Sequence, residues 1–315
     1  MPFADSAHLH FRPFEVEFGK AAACLYRSGL RAGLRVPVPV LGAETRERFW
    51  PEAAPAGVEA GFDLYTSGDL LIGCAAWPAG EDPTEAARRL YLRLLDAAAG
   101  GHLYRVWNYV PGINGSTGDL ENYRAFCVGR GAAFEERWGP AFAAALPAAS
   151  AVGCAGGALA AVFVAGREPP LLFENPEQVP AYEYPPDYGP RAPSFARASV
   201  AIANGRRMIF ISGTAAIKGH ATVAPESLEA QIACTLDNLH AVGREAGAGA
   251  DLGISAGFAR SFKIYVRHPD EFGKARSRIR EALLRPGDSA LWLRADLCRR
   301  ALRIEIEATL VGVPR

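Results

Sequence analysis

An excess of charge of either sign is missing from this sequence. Lysine plus arginine total 34, and so do aspartate plus glutamate. Net charge therefore gives no reason to expect nucleic acid or an anionic membrane as a partner, although a local pair of arginines can still hold a small anion. Metal-binding patterns are missing too. The six cysteines (Cys24, Cys74, Cys127, Cys154, Cys234 and Cys298) form no CxxC pair, and no histidine cluster accompanies them. No zinc site, and no other metal or cofactor, is expected. The cysteines read as free thiols in a reducing compartment, most of them small buried apolar side chains. The opening MPFADSAHLHFRPFEVEF lacks a basic start followed by an apolar run. No secretory signal is expected, and the location implied is cytoplasmic. The most apolar stretch, 141–166, is cut by Pro147 and by Gly153, Gly156 and Gly157 into a helix end and two short strands. Each is too short to cross a bilayer. The glycines of 247–250 lack the strand–GxGxxG–helix setting of a phosphate loop.

What is present is a large apolar fraction, half of 315 residues, enough for two or three domains. Periodicity predicts a strand over 69–77 and a helix over 82–101, opened by an Asp-Pro-Thr cap and closed by two glycines. A strand at 102–110, a helix at 119–139 with a kink near Gly129 and Gly131, and a closing hairpin follow. From 194 the order recurs. A hairpin over 194–217 turns at Asn204-Gly205, a type I′ signal. A helix at 225–247, a half-buried strand at 257–268, a helix at 269–283 and strands at 290–298 and 302–313 complete it. Two halves with one element order point to a duplicated α+β unit. Residues 1–60 carry strand-like pieces (9–18 and 34–41) without a helix pair and read as a degenerate third copy. The expected units are 1–60, 61–168 and 169–315, the last beginning with a proline- and tyrosine-rich linker (168–194) that wraps the surface.

The final strand holds the most informative pattern, Ile304-Glu305-Ile306-Glu307. Alternation puts Glu305 and Glu307 on one face and the isoleucines on the other. Two carboxylates on an apolar sheet are costly unless solvated, paired or functional. Salt bridges to Arg303 or Arg299 on a solvated face are the plain alternative.

SGTAAIKGH (212–220), the helix after Pro225 and the closing IEIEA resemble the RidA/YjgF deaminase superfamily. That resemblance matches Glu305 to the glutamate that positions a water. The arginine that grips the substrate carboxylate in that superfamily is missing here, where Asp288-Ser289-Ala290-Leu291 stands. Longer motifs, RVWNYVPGIN (105–114), ENYRAFCVGR (121–130), YGPRAPSFARA (188–198), SGTAAIKGH and LRADLCR (293–299), together resemble the chorismatase family over almost the whole chain from about residue 60. The resemblance implies an α+β fold with a pseudo-threefold arrangement of RidA/YjgF-like (chorismate-mutase-like) units. It also implies a site between the central and C-terminal units, no cofactor, and chorismate as substrate. A single chain carrying the repeat is expected to be a monomer.

Chorismate is a dianion with an enol ether. Release of pyruvate needs a proton on the enol-ether methylene, and a carboxylic acid of raised pKa suits that task. The resemblance assigns it to Glu305 and leaves Glu307 as a structural partner. Arg124 is the expected carboxylate ligand. Tyr123, Asn108, Tyr109 and Asn114 are candidate hydrogen-bond donors, and Lys263, Tyr265 and Arg267, alternating on one strand, are candidates from the C-terminal unit. Each of these is otherwise a surface ion pair or an interdomain hydrogen bond. In the chorismatase resemblance, Gly213 and Cys298, seven residues before Glu305, mark the kind that forms 3-hydroxybenzoate, in some relatives together with 4-hydroxybenzoate, rather than the hydrolytic kind that gives a dihydroxycyclohexadiene carboxylate. A packing role for Cys298, and a non-catalytic binding protein of the same fold, remain open on the sequence.

Overall fold

In the structure, a computed structural model, the described residues are 14–28, 31–50, 53–80 and 82–313. The N-terminal sheet consists of β1 (Phe14–Phe18), β2 (Cys24–Ser28), β3 (Arg31–Val36) and β4 (Arg46–Trp50), in the order β2-β3-β1-β4. The expected strand piece at 9–18 survives as β1; residues 9–13 lie outside the described ones. β5 (Ala54–Glu59) falls inside the expected N-terminal unit, yet it pairs with β6 (Phe62–Ser67) and belongs to the next sheet.

That central sheet continues through β7 (Leu70–Pro78), helix α1 (Pro83–Ala97), β8 (His102–Pro111), helix α2 (Asn122–Trp138), β9 (Ala148–Cys154) and β10 (Ala158–Gly166). Its order is β9-β8-β10-β7-β6-β5. Asp82 caps α1 as its sequence implies, accepting from the amides of Thr84 and Glu85. The α2 helix runs unbroken through Gly129 instead of kinking there. A Cβ at Gly129 would lie 2.0 Å from the Thr84 carbonyl oxygen, so glycine lets the two helices touch.

The third sheet is built from β11 (Leu171–Phe173), β12 (Ala198–Ala203), β13 (Arg206–Ala215), helix α3 (Leu228–Glu245), β14 (Ala259–Val266), helix α4 (Phe272–Ala282), β15 (Ser289–Arg294) and β16 (Ile304–Val311). Its order, β11-β12-β13-β16-β14-β15, repeats the central one position for position. Both sheets end on a parallel pair, β8 with β9 and β14 with β15.

Each six-stranded sheet packs its outer face on its own helices. Val106, Val110 and Phe163 meet α1 and α2 in one core; Ile304, Ile306, Ile264 and Phe262 meet α3 and α4 in another. The inner faces of all three sheets share a third core, with Phe14 and Val16, Trp107 and Tyr109, and Phe210, Tyr265 and Leu293. The result is the expected α+β class in a pseudo-threefold arrangement, the N-terminal sheet having no helix among the described residues. β14 is thus buried on both faces, which corrects the half-buried strand expected at 257–268. β15 stops at Arg294, short of the expected 298, because Arg267 takes the carbonyls of Leu297, Arg299 and Leu302 and holds 295–303 as a loop. No described helix is long and apolar enough to cross a membrane.

Asn204-Gly205 forms the expected two-residue turn, with φ of 53° and 65°. Asn204 also joins the two large units: its Oδ1 accepts from the Asp69 amide at 2.7 Å and its Nδ2 donates to the Ser67 carbonyl at 2.9 Å. Asn204→Ala removes both bonds and puts a less tolerant residue at positive φ. It is expected to lower stability by about 1–3 kcal/mol, read from the denaturant midpoint at unchanged m-value.

Candidate active site

Glu305 and Glu307 project from β16 into the shared inner core, 3% and 2% exposed. This excludes the solvated-face alternative and makes the fate of each charge the central question. Across the β14–β16 ladder, Lys263 stands opposite Glu307 and Tyr265 opposite Glu305. Glu307 is fully satisfied. Its Oε1 accepts from Trp107 Nε1 at 2.7 Å and pairs with Lys263 Nζ at 2.8 Å; its Oε2 accepts from Arg105 Nη2 at 2.8 Å and from the Ser150 hydroxyl. Burial works against its ionisation, but the charges of Lys263 and Arg105 and the hydrogen bonds outweigh it, holding this carboxyl below the ordinary range.

Glu305 has the opposite surroundings. Its Oε1 has no hydrogen-bond partner. Burial first, and then the neighbouring Glu307 anion, push its carboxyl up to about 8, against the opposing charges of Arg105, Arg267 and Arg197. Two carboxylates on one strand face are thereby split, one a fixed anion and the other a neutral acid at neutral pH. Gly213 makes the room. It lies where the β13–β16 register shifts, between Ile211 and Thr214, and a Cβ there would come 2.2 Å from Glu305 Oε1.

Glu305 opens onto a cavity of about 460 Å³ between the central and C-terminal units. The start of α2 supplies Tyr123 and Arg124, β13 supplies Gly213 and Ala215, and the 295–303 loop supplies Cys298, Arg299 and Arg300. The segment between β11 and β12 contributes Tyr184, Tyr188, Phe195 and Arg197. Arg197 is 6% exposed at its side chain; its Nη2 donates to the Tyr184 hydroxyl at 2.7 Å, while its Nε has no hydrogen-bond partner. The Arg299 guanidinium lies 3.9 Å from the Tyr188 ring centroid and donates to the His220 carbonyl at 2.8 Å. Arg124 is more open, 41% exposed, with Glu121 at 3.7 Å. Burial pushes the Cys298 thiol up to about 12, with Glu305 adding to it, so the thiol faces the cavity neutral. Four arginines around a neutral acid make a cavity suited to a small dianion.

Of the residues expected from sequence, the cavity brings together Glu305, Gly213, Cys298, Tyr123 and Arg124. Six others do not line it. Asn108 points to the helix side, accepting from the Tyr91 hydroxyl and donating to the Ser150 carbonyl. Asn114 bridges the units by donating to the Leu297 carbonyl and accepting from Arg267. Every nitrogen of Arg267 donates: Nε to Leu302 O, Nη1 to Asn114 Oδ1 and Asp296 Oδ1, Nη2 to Leu297 O and Arg299 O. It has none left for a ligand and instead shapes the loop that carries Cys298 and Arg299. Lys263 is held by Glu307 and by Glu47 at 2.6 Å. Tyr109 and Tyr265 sit in the inner core, 1% and 0% exposed, and burial raises both phenols well above their ordinary range. The residues missed were Arg197, Arg299, Tyr184, Tyr188 and Phe195 in the cavity, and Arg105, Trp107, Ser150 and Glu47 behind it. The density of tyrosine and arginine over 181–199 was a usable signal for the first set. Strand alternation placing Arg105, Trp107 and Tyr109 on one face was a signal for part of the second.

Residues 49–165 match the family model described as "Chorismatase FkbO/Hyg5-like, N-terminal". A 3-hydroxybenzoate synthase from Streptomyces hygroscopicus is 38% identical over 284 residues, covering 85% of this chain and 82% of that protein. A chorismatase from Streptomyces rapamycinicus is 34% identical over 85% of this chain and 83% of its own length. A chorismatase crystal structure superposes with a TM-score of 0.83 at 29% identity, covering 98% of this chain and 95% of that one.

Glu307→Gln leaves Lys263 and Arg105 short of a buried counter-charge. It is expected to lower stability by about 3–5 kcal/mol, measured by chemical denaturation.

Proposed function

The chain belongs to the chorismatase family, and from that premise we propose how its cavity converts chorismate to 3-hydroxybenzoate and pyruvate. The observation that carries the route is the unpartnered, buried Glu305 carboxyl beside the satisfied Glu307 anion. Glu305 is the general acid. It gives its proton to the enol-ether methylene, which becomes the methyl group of pyruvate. The developing oxocarbenium character weakens the bond from the ether oxygen to the ring. The ring hydroxyl attacks the carbon that loses this oxygen, forming a 3,4-epoxide and releasing its own proton. That proton balances the one Glu305 has given. The epoxide then isomerises to the aromatic hydroxybenzoate, and no water enters or leaves.

Arg197 and Arg299 are the proposed ligands of the two substrate carboxylates, with Arg124 at the mouth and Tyr123 and Tyr184 as neutral donors. Their support is burial and position: Arg197 is the buried member of the four cavity arginines, and Arg299 is braced on Tyr188. Gly213 leaves space above Glu305 for the ring, and the neutral Cys298 thiol borders the reacting centre without offering a charged or strongly hydrated group. Both features favour attack by the ring hydroxyl over attack by water. Asn108, Asn114, Lys263, Tyr265, Tyr109 and Arg267 keep structural roles. We also propose that the protein works as a cytoplasmic monomer, a reading supported by six free thiols and by a core closed with three sheets of one chain.

Purified protein incubated with chorismate is expected to yield 3-hydroxybenzoate and pyruvate, resolved by chromatography with mass detection. Glu305→Gln is expected to lose about 10²–10⁴-fold in turnover while keeping its melting temperature. Untouched chorismate with the wild type would defeat the functional reading. The acid form is the active one and its pKa is raised, so the proton is held below the folded value. The ratio kcat/KM should therefore stay level through neutrality and fall as pH rises through about 8. Gly213→Ala forces the Glu305 carboxyl aside and fills the space over it. It is expected to lower turnover and to raise the share of dihydroxycyclohexadiene carboxylate among the products.

A further inference from the structure

None of the described residues of the N-terminal sheet lines the substrate cavity, yet that sheet reaches the catalytic carboxyl by another route. We propose that Glu47 of β4 is a positioning residue that sets how tightly Glu305 holds its proton, acting through Lys263 and Glu307. The inference rests on the acid role given to Glu305 above. Lys263 Nζ binds two carboxylates at once, Glu47 Oε2 at 2.6 Å and Glu307 Oε1 at 2.8 Å, over the Trp107 ring at 4.6 Å. Arg105 holds the other oxygen of Glu307. The chain of contacts is therefore Glu47, Lys263, Glu307, with Glu305 next on the same strand face.

Charge balance gives the direction. Lys263 and Arg105 supply two positive charges, and Glu307 supplies one negative charge. With Glu47 ionised the group is neutral; with Glu47 neutral it carries a net positive charge. A net positive charge close by in a poorly screened interior favours the Glu305 anion and loosens its proton. Glu47 itself is poised to change state: burial pushes its carboxyl up to about 7, opposed by Lys263. It also borders a small cavity of about 70 Å³ with Glu44, Arg46 and Ser261, on the side away from the substrate cavity. The groups that face Glu47 are Lys263 and Tyr265 on β14, Glu307 on β16 and Arg105 and Tyr109 on β8. Those that face Glu305 are Glu307, Arg105, Arg267, Arg197, Tyr265 and Cys298. Of the coupled carboxylates, Glu47 has the more exposed side chain, 15% against 3% for the side chain of Glu307. The N-terminal sheet would then act on the chemistry without touching the substrate.

The test is an infrared titration of the full chain without substrate, in which the protonated carboxyl band of Glu305 is identified by its loss in Glu305→Gln. In Glu47→Gln the midpoint of that band is expected to fall by on the order of one pH unit. The alkaline limb of kcat/KM should fall with it, while KM at acid pH keeps its wild-type value. Glu47→Asp, which keeps the charge but draws it one methylene back from Lys263, is expected to move both midpoints in the same direction by a smaller amount, and it carries the test if Glu47→Gln does not fold. Midpoints that coincide with wild type in a folded variant overturn the proposal, as does a KM change with no shift of the pH limb. If the wild type leaves chorismate untouched, the functional reading fails instead, and the infrared midpoint still decides the coupling.

Discussion

The buried anion of Glu307 is the interaction on which the rest of the site depends. Four donors from three strands converge on it: Trp107 and Arg105 from β8, Ser150 from β9 and Lys263 from β14. Truncating any one partner of such a group exposes the desolvation cost of the others. Satisfying Glu307 so fully fixes the central and C-terminal sheets against each other. It also leaves nothing for Glu305, whose unpartnered carboxyl keeps its proton first because it is buried and then because an anion sits beside it. Structural and chemical roles are thus divided between two identical side chains by their partners alone.

The cavity is assembled from segments that the sheets do not themselves order. Arg267 spends all its donors on the 295–303 loop and on Asn114, so the loop carrying Cys298, Arg299 and Arg300 is pinned against the central unit. The linker runs across the mouth, where Arg197 is tied to Tyr184 and Arg299 to Tyr188. Aromatic faces brace the guanidinium groups at the cavity wall. Glycine matters at the centre for a different reason: any side chain at Gly213 would collide with the acid.

The order of elements, the α+β class, the type I′ turn at Asn204-Gly205 and the placing of Glu305 and Glu307 on one strand face were all legible in the amino-acid pattern. These follow from local rules: periodicity, caps, turn chemistry and alternation. Long motifs carried the family resemblance, and with it Gly213, Cys298, Tyr123 and Arg124. Which polar residues meet was settled by the folded chain. Lys263 and Tyr265 alternate toward the same side of β14, but that side faces a core shared by three sheets, not the cavity. Arg267 looks from sequence like a ligand arginine, and its carbonyl partners at 297, 299 and 302 become visible only once the loop is folded around it. Glu47 lies 216 positions from Lys263, beyond the reach of any local pattern. Pairing, desolvation and the proton on Glu305 are properties of residues distant in the chain brought into one poorly screened space, and no local rule contains them.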